Sequence, residues 1–368
     1  MRQYHQLLKK ILSEGNVEFE PRTQVWTIGL SAASYTMDMK KGFPLLTTKN
    51  IPLRLPAEEV FWKLRGETNV KSLVDRNIHF WTANAFDRYL KIQGLKGEIP
   101  KHSTVWNEEF VKYAERIKND SEFAETAGDL GPVYGNQWRH WVDRNGKEVD
   151  QLENLLKGIK ENPVSRYHVL NAWNSGDLPE MALRPCPFWH QFTVYPNENA
   201  IDLTMVQRSC DTYLGVPFND AQDALLLEMV AKETGYQPRF FHHHFNNVHI
   251  YLGVPPRSDF WGDSEGKVWQ DNVFEFQSKF KGIDRRSKYL ALRDWYSDQV
   301  DDESSGNERK DHLPFVLEQL SKNCRKLPSL YFKQDVPLMD AIEMPALEIF
   351  GVKRYNPHKW DAKAEMAA

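Results

Sequence analysis

A mixed α/β (α+β) fold built on one large sheet is predicted by three features of the chain. Alternating runs over residues 26–39, over 191–194 and in a second stretch ending at 207–211 have the two-residue period of half-buried strands. Tyr4, Leu7, Leu8 and Ile11 keep helical spacing, and residues 220–234 carry apolar stripes with Gly235 just beyond, which predicts a buried central helix. The 368 residues are enough for one large core.

Composition narrows the class. A net charge of −4 argues against a general nucleic-acid surface and leaves room for a basic pocket for one phosphate. Cys186, Cys210 and Cys324 are odd in number and irregularly spaced, which predicts free thiols in a reducing, cytoplasmic setting. No apolar run approaches ~18 residues, so no membrane span is expected. The opening MRQYHQLLKK lacks the apolar centre of a signal peptide.

The elements follow in order. The first helix is expected to stop at Gly15, and Arg22 lies in a loop ahead of the long strand. Residues 42–49 are turn-rich and end in Lys49. By themselves both cations read as solvated surface charges. Residues 57–64 predict a helix carrying the adjacent pair Glu58 and Glu59, which by themselves read as two solvated carboxylates. Residues 82–127 are charged and show one amphipathic helix, marked by Phe110, Tyr113, Ala114 and Ile117. Leu152, Leu155, Leu156 and Ile159 mark another helix, ended by Asn162-Pro163, and Arg166 stands where a strand is expected to start. His242, His243, His244 and, further on, His249 raise a zinc site, but metal sites draw on ligand pairs at defined loop spacings, so no metal is expected. Residues 255–311 are polar, with a flexible stretch at 301–310, and Leu313, Val316, Leu317 and Leu320 return to helical spacing.

The chemistry centres on Cys186. Pro185 and Pro187 flank it, so it sits on a stiff, non-helical corner. A lone cysteine is ordinarily a small buried hydrophobe. Near an arginine such as Arg208 it can instead be held as the nucleophilic thiolate.

The surrounding words decide between these. Arg22-Thr23, GFPLLTTK (42–49), Glu59 with Trp62 and GETN (66–69), GDLGPVYGNQWR (128–139), NAWN-x-GDL (171–178), PC (185–186), QRSCD-x-x-LG-x-PFN (207–219), VHIY (248–251) and RYNPH (354–358) occur in this order. The chain thereby resembles thymidylate synthase and its relatives, the pyrimidine hydroxymethylases. The resemblance covers most of the chain. It implies a single domain over 1–368, with a large mixed sheet, helices on one face, the other face in a homodimer interface, and surface insertions at about 82–127 and 255–311. It implies that Cys186 attacks carbon 6 of deoxyuridylate, with Glu59 handling protons and Tyr134 beside the cysteine. Arg22, Arg208, Ser209 and the neighbouring subunit's Arg166 would hold the phosphate. Gln207 and Asn219 would face the pyrimidine, and His249 and Tyr251 the sugar 3′-hydroxyl. Lys49, Trp81, Asp211 and Gly215 would face 5,10-methylenetetrahydrofolate, the co-substrate.

Several words depart from the family pattern. Pro187 follows the cysteine where a histidine is usual, Asn84 replaces a tryptophan, and Phe245-Asn246-Asn247 replaces GGD. Tyr167 replaces a second arginine, and the ending (357–361, then AEMAA) is charged rather than an apolar clamp. Lost apolar cover on the folate side points to a site that admits water, with Asn84, Asn247 and Glu59 as its polar partners. The expected activity is therefore deoxyuridylate hydroxymethylation, of the kind bacteriophages use to make modified DNA. Thymidylate synthesis is the alternative, followed by cytidylate hydroxymethylation, if Asp220 rather than Asn219 reads the base, and by an idle nucleotide-binding relative.

Overall fold

A seven-stranded mixed sheet is the centre of the computed structural model, which describes residues 1–21, 24–101, 103–300, 310–359 and 364–365. The strands, in chain order, are β1 (Asn16–Glu20), β2 (Val25–Asp38), β3 (Trp141–Val142), β4 (Glu148–Val149), β5 (Val169–Asn171), β6 (Pro187–Tyr195), β7 (Ala200–Gln207), β8 (Cys210–Asp211), β9 (Gln237–Tyr251), β10 (Ser329–Phe332) and β11 (Phe350–Lys353). The sheet runs β1-β2-β9-β7-β6-β5, with β8 beside β9. β9 lies parallel to β7 and β8, and the other neighbours are antiparallel. Parallel neighbours need a crossover, and the helix Gly215–Thr234 supplies it.

That helix is apolar on nearly every side, so it is buried by the sheet beneath it and by the helix Arg54–Leu64 beside it. It begins five residues earlier than the apolar stripes alone indicate, and closes at Gly235, whose φ of 81° is the left-handed conformation that glycine adopts without strain. Glu228 is half-buried on it, and burial raises its carboxyl to about 7. The unfolded chain loses that proton near 4.5 and the native chain keeps it to about 7, so this group's contribution to stability falls as pH rises between the two values. Glu228→Gln is therefore expected to stabilise the protein by about 1–3 kcal/mol at about pH 8 and to change little at about pH 4. Urea unfolding at the two pH values checks this.

The two faces of the sheet differ. His190, Phe192, Val194, Leu203, Met205, Phe241, His243 and Phe245 are buried on the helix side. On the other side Ser34, Thr36, Thr193 and His244 are exposed, and register sets Ser34 against His244 and Thr36 against His242. Strand alternation thus splits the histidine cluster. His243 points into the core while His242 and His244 face outward, so the three do not converge.

Two segments differ from the sequence expectation. Residues 82–127 form three helices rather than one (Thr82–Ile92, Thr104–Asn119 and Ser121–Ala127), packed around Phe86, Trp106, Phe110 and Tyr113. The polar stretch after 255 has an apolar centre of its own, in which Trp261, Phe276 and Tyr296 are fully buried. Residues 301–309 of the expected flexible stretch lie outside the described residues. No helix among the described residues is long and apolar enough to cross a membrane.

Candidate active site

The β6–β7 hairpin builds the centre of the site. Pro187 pairs with Gln207 while Trp189 pairs with Val206, so β6 carries a bulge at Phe188, next to its start. The residue before β6, Cys186, and the residue after β7, Arg208, are thereby adjacent, and the Arg208 backbone N–H donates to the Cys186 carbonyl at 2.9 Å. The Arg208 guanidinium donates to the carbonyls of Pro185 and Arg184, both at 2.9 Å, and so braces the corner. The backbone N–H of Cys186 donates to the Tyr134 hydroxyl at 2.8 Å.

The arginine was expected to make the thiol acidic. Burial instead pushes the Cys186 thiol above its ordinary value, while Arg208 and Lys63 pull it back. The physical reason is desolvation: burial penalises the charged thiolate by more than the two cations favour it.

Glu59 comes from the helix Arg54–Leu64. Neither member of the glutamate pair is solvated. Glu58 turns outward from the site to accept from the Ala346 backbone N–H (2.9 Å) and pair with Arg76 (3.2 Å). Glu59 accepts from the Trp81 indole at 3.0 Å and from the Gln222 amide at 2.5 Å, and lies 3.3 Å from the Lys63 ammonium. The Trp81 ring stands edge-on to Tyr134 at 5.8 Å. Tyr134 therefore touches both the cysteine corner and the group that holds Glu59.

Beyond the corner, Asn219 Oδ1 accepts from Gln207 Nε2 at 3.1 Å. The same nitrogen donates to the Ser209 carbonyl at 3.0 Å, which fixes the Gln207 amide orientation because a carbonyl only accepts. Gln207 Oε1 then faces His243 Nε2 at 3.0 Å, and His243 Nδ1 lies 2.9 Å from Asp220, which also accepts from Tyr35 at 2.5 Å. Asp220 and His243 are both fully buried. Asp220 thus faces the core, while Asn219 is only partly buried.

On the third side, β8 pairs with β9 so that Asp211 stands opposite His249. Burial works to raise the Asp211 carboxyl, but His312, His249 and the Tyr213 backbone N–H outweigh it and hold it below the ordinary range. Its Oδ2 is buried with no hydrogen-bond partner among the described residues. The His249 ring packs edge-on to Tyr251 at 5.1 Å and is held by Asn247 Oδ1 at 2.8 Å. Gly215 opens the helix alongside, 3.6 Å from Asn219 by its position for a Cβ. Lys49 is not a surface lysine. It is buried, donates to the Tyr213 carbonyl at 2.7 Å, lies over the Tyr213 ring, and burial lowers it to about 8. The segment 42–49 and the RYNPH word meet here, through Tyr355 donating to the Leu46 carbonyl and the His358 backbone donating to Thr47.

Three expectations fall elsewhere. Arg22 lies outside the described residues, as do 360–363 of the charged ending. Arg166 is exposed in a bend three residues before β5, not at a strand start, beside the exposed Tyr167. Asn84 and Asn247 do not share a hydrogen bond with Glu59, whose carboxylate is taken by Trp81, Gln222 and Lys63. Lys63, Gln222 and His312 were not anticipated, and His243 was weighed only as a metal ligand. Lys63 was accessible in principle, as a lysine four residues after Glu59 on an otherwise apolar helix.

The thymidylate synthase family profile matches residues 2–368. This chain belongs to the thymidylate synthase family. A thymidylate synthase of Listeria monocytogenes is 38% identical over 262 residues, covering 68% of this chain and 82% of the relative. One from Mesoplasma florum is 41% identical over 254 residues, with the same coverage. The α/β architecture with its large mixed sheet accords with this membership, and the protein is an enzyme-family member of the transferase class.

Proposed function

We propose that the chain transfers a one-carbon unit from methylenetetrahydrofolate to carbon 5 of deoxyuridylate and finishes it as a methyl group. The observation that carries this is Tyr134, which contacts the Cys186 corner and the Trp81 that holds Glu59, so nucleophile and acid share one pocket. In this scheme the Cys186 thiolate adds to carbon 6, and the displaced electron pair moves to the carbon 4 oxygen, making carbon 5 nucleophilic. Glu59 handles protons around that oxygen. Asn219 donates its amide hydrogens to it and accepts from the ring N–H. Arg208, Ser209 and Arg22 hold the phosphate, with Arg166 of a second subunit, and His249 and Tyr251 hold the sugar hydroxyl. The open acceptor Asp211 Oδ2, with Lys49, Trp81 and Gly215, fits a pterin that presents N–H donors. The co-substrate supplies the carbon and, for a methyl product, the hydride.

The homodimer belongs to the same proposal, with the polar outer face of the sheet as its interface. So does the division of one domain, 1–368, into a shared body and insertions at about 82–127 and 255–311, which accords with the 68% coverage of the relatives' matches.

A second outcome, hydroxymethylation, is favoured by one observation: Glu59 sits among Lys63 and Gln222, a polar setting beside a cavity with room for a water. The named relatives and the intact Trp81 contact favour the methyl product. Cytidylate is disfavoured because Asp220 is buried against His243 and Tyr35. The test is turnover of deoxyuridylate with methylenetetrahydrofolate, read by product mass and by absorbance of oxidised folate. Thymidylate with one dihydrofolate per turnover is expected. A hydroxymethyl product with no dihydrofolate would overturn the methyl reading in favour of the second.

A further inference from the structure

Lys63 is the unexpected charge in this site. Its side chain is only 6% exposed, on a helix whose neighbouring positions are apolar. An ammonium has three donors and no acceptor. One lies 3.3 Å from Glu59 Oε1, one reaches Gln222 Oε1 at 3.0 Å, and the group stands 4.5 Å from the centre of the Tyr134 ring. Gln222 donates in turn to the other oxygen of Glu59, so Lys63, Gln222 and Glu59 form a closed triangle. A buried ion pair adds little net stability over apolar residues of the same volume, because both charges lose their hydration. Packing alone thus gives no reason for a lysine here.

Behind the triangle is a cavity of about 10 Å³, room for the centre of one water. Lys63, Tyr134, Trp138, Pro187, His190 and Gln222 line it. His190 Nδ1 and Trp138 Nε1 are buried there without a protein partner, while His190 Nε2 bonds Asp223 at 2.8 Å. The wall of this cavity is the inner side of the cysteine corner, since Pro187 follows Cys186 directly and Tyr134 accepts from the Cys186 backbone.

Resting on the assignment of Cys186 and Glu59 made above, we propose that Lys63 is a positioning residue. It holds the Glu59 carboxylate through direct and Gln222-mediated contacts, and keeps a fixed positive charge behind Tyr134 that favours the thiolate of Cys186. The groups that face this region are Glu59 from the same helix, Tyr134, Arg208, and the His190–Asp223 pair across the cavity. Arg208 and Lys63 are the cations that draw the thiol down against its burial.

The test uses alkylation of Cys186 by iodoacetamide in the substrate-free protein, followed by peptide mass, across a pH series. Lys63→Met should slow alkylation at about pH 7 by roughly threefold to tenfold and move its pH profile upward, and Lys63→Arg should restore most of the rate. Should Lys63→Met fail to fold because Glu59 is left unpaired, the pair Glu59→Gln and Glu59→Gln/Lys63→Met replaces it, since neither contains a lone buried carboxylate. The double variant should alkylate more slowly than the single by a similar factor. A wild-type profile in folded Lys63→Met, or equal rates in the pair, overturns the proposal. Alkylation involves neither nucleotide nor folate. A failure of the proposed reaction would therefore appear as absent turnover with the alkylation differences intact, and a failure of the Lys63 role as the reverse.

Discussion

Cys186→Ser is expected to lower turnover of deoxyuridylate by at least about 10³-fold while nucleotide binding stays within a few-fold of wild type. Serine preserves the corner, because the contacts that shape it are made by backbone: the Cys186 N–H to Tyr134 and the Cys186 carbonyl from Arg208. What is lost is the thiolate. A hydroxyl beside Arg208 has no base within the observed contacts to activate it, since the guanidinium only donates. Because burial raises the Cys186 thiol, wild-type turnover should climb with pH on the alkaline side as thiolate forms, and that limb should vanish in the serine variant. Steady-state rates over pH, with nucleotide binding by calorimetry, check both statements. Near-normal turnover in the variant would remove the nucleophile assignment.

The second large effect is expected at the base-reading position. Asn219→Asp should change the ratio of kcat/KM for deoxyuridylate over deoxycytidylate by roughly 100-fold towards cytosine. Asn219 accepts from Gln207 through Oδ1, which leaves its amide hydrogens to meet the carbon 4 oxygen of uracil. A protonated carboxyl in that place donates to ring nitrogen 3 of cytosine and accepts from its amino group. The chain Asp220–His243–Gln207 behind it fixes the acceptor side, so the new residue has little freedom to turn. An unchanged substrate ratio would mean that the pyrimidine edge is read elsewhere. Asp220 is not the substitute reader, since it is fully buried against Tyr35 and His243.

The candidate site could be proposed from the chain because its residues lie in short words. Cys186, Arg208, Ser209, Asp211 and Asn219 fall within 34 residues of sequence, at the ends of β6 and β7, on β8 and in the first turns of one helix. Their order and spacing were enough to propose them. Their partners were not readable. Gln222 reaches Glu59 across 163 positions, Tyr35 reaches Asp220 across 185, and Lys49 reaches Tyr213 across 164. The first pairing exists because the helices Arg54–Leu64 and Gly215–Thr234 lie side by side, the second because the central helix packs on the sheet that holds β2, and the third because the loop ending in Lys49 folds back on the segment after β8. Glu58 and Glu59 show the same limit. Adjacent glutamates on a helix read as solvated, and only the packing of Trp81 and Gln222 on one side and Ala346 on the other buries both with partners.

By itself the sequence determined the family and the alternation of strands and helices, and it proposed Cys186 as the nucleophile, because these depend on residue type, local period and spacing. The tertiary structure decided the electrostatics. Burial, not the nearby arginine, sets the direction of the Cys186 thiol, and desolvation depends on every neighbour around a group rather than on the residues beside it in the chain. It also decided which of Asn219 and Asp220 is buried in the core. Adjacent residues on a helix point about 100° apart. One therefore meets the sheet and its buried histidine while the other stays partly exposed beside Gln207, and that choice is set by how the central helix is rotated against β7 and β9.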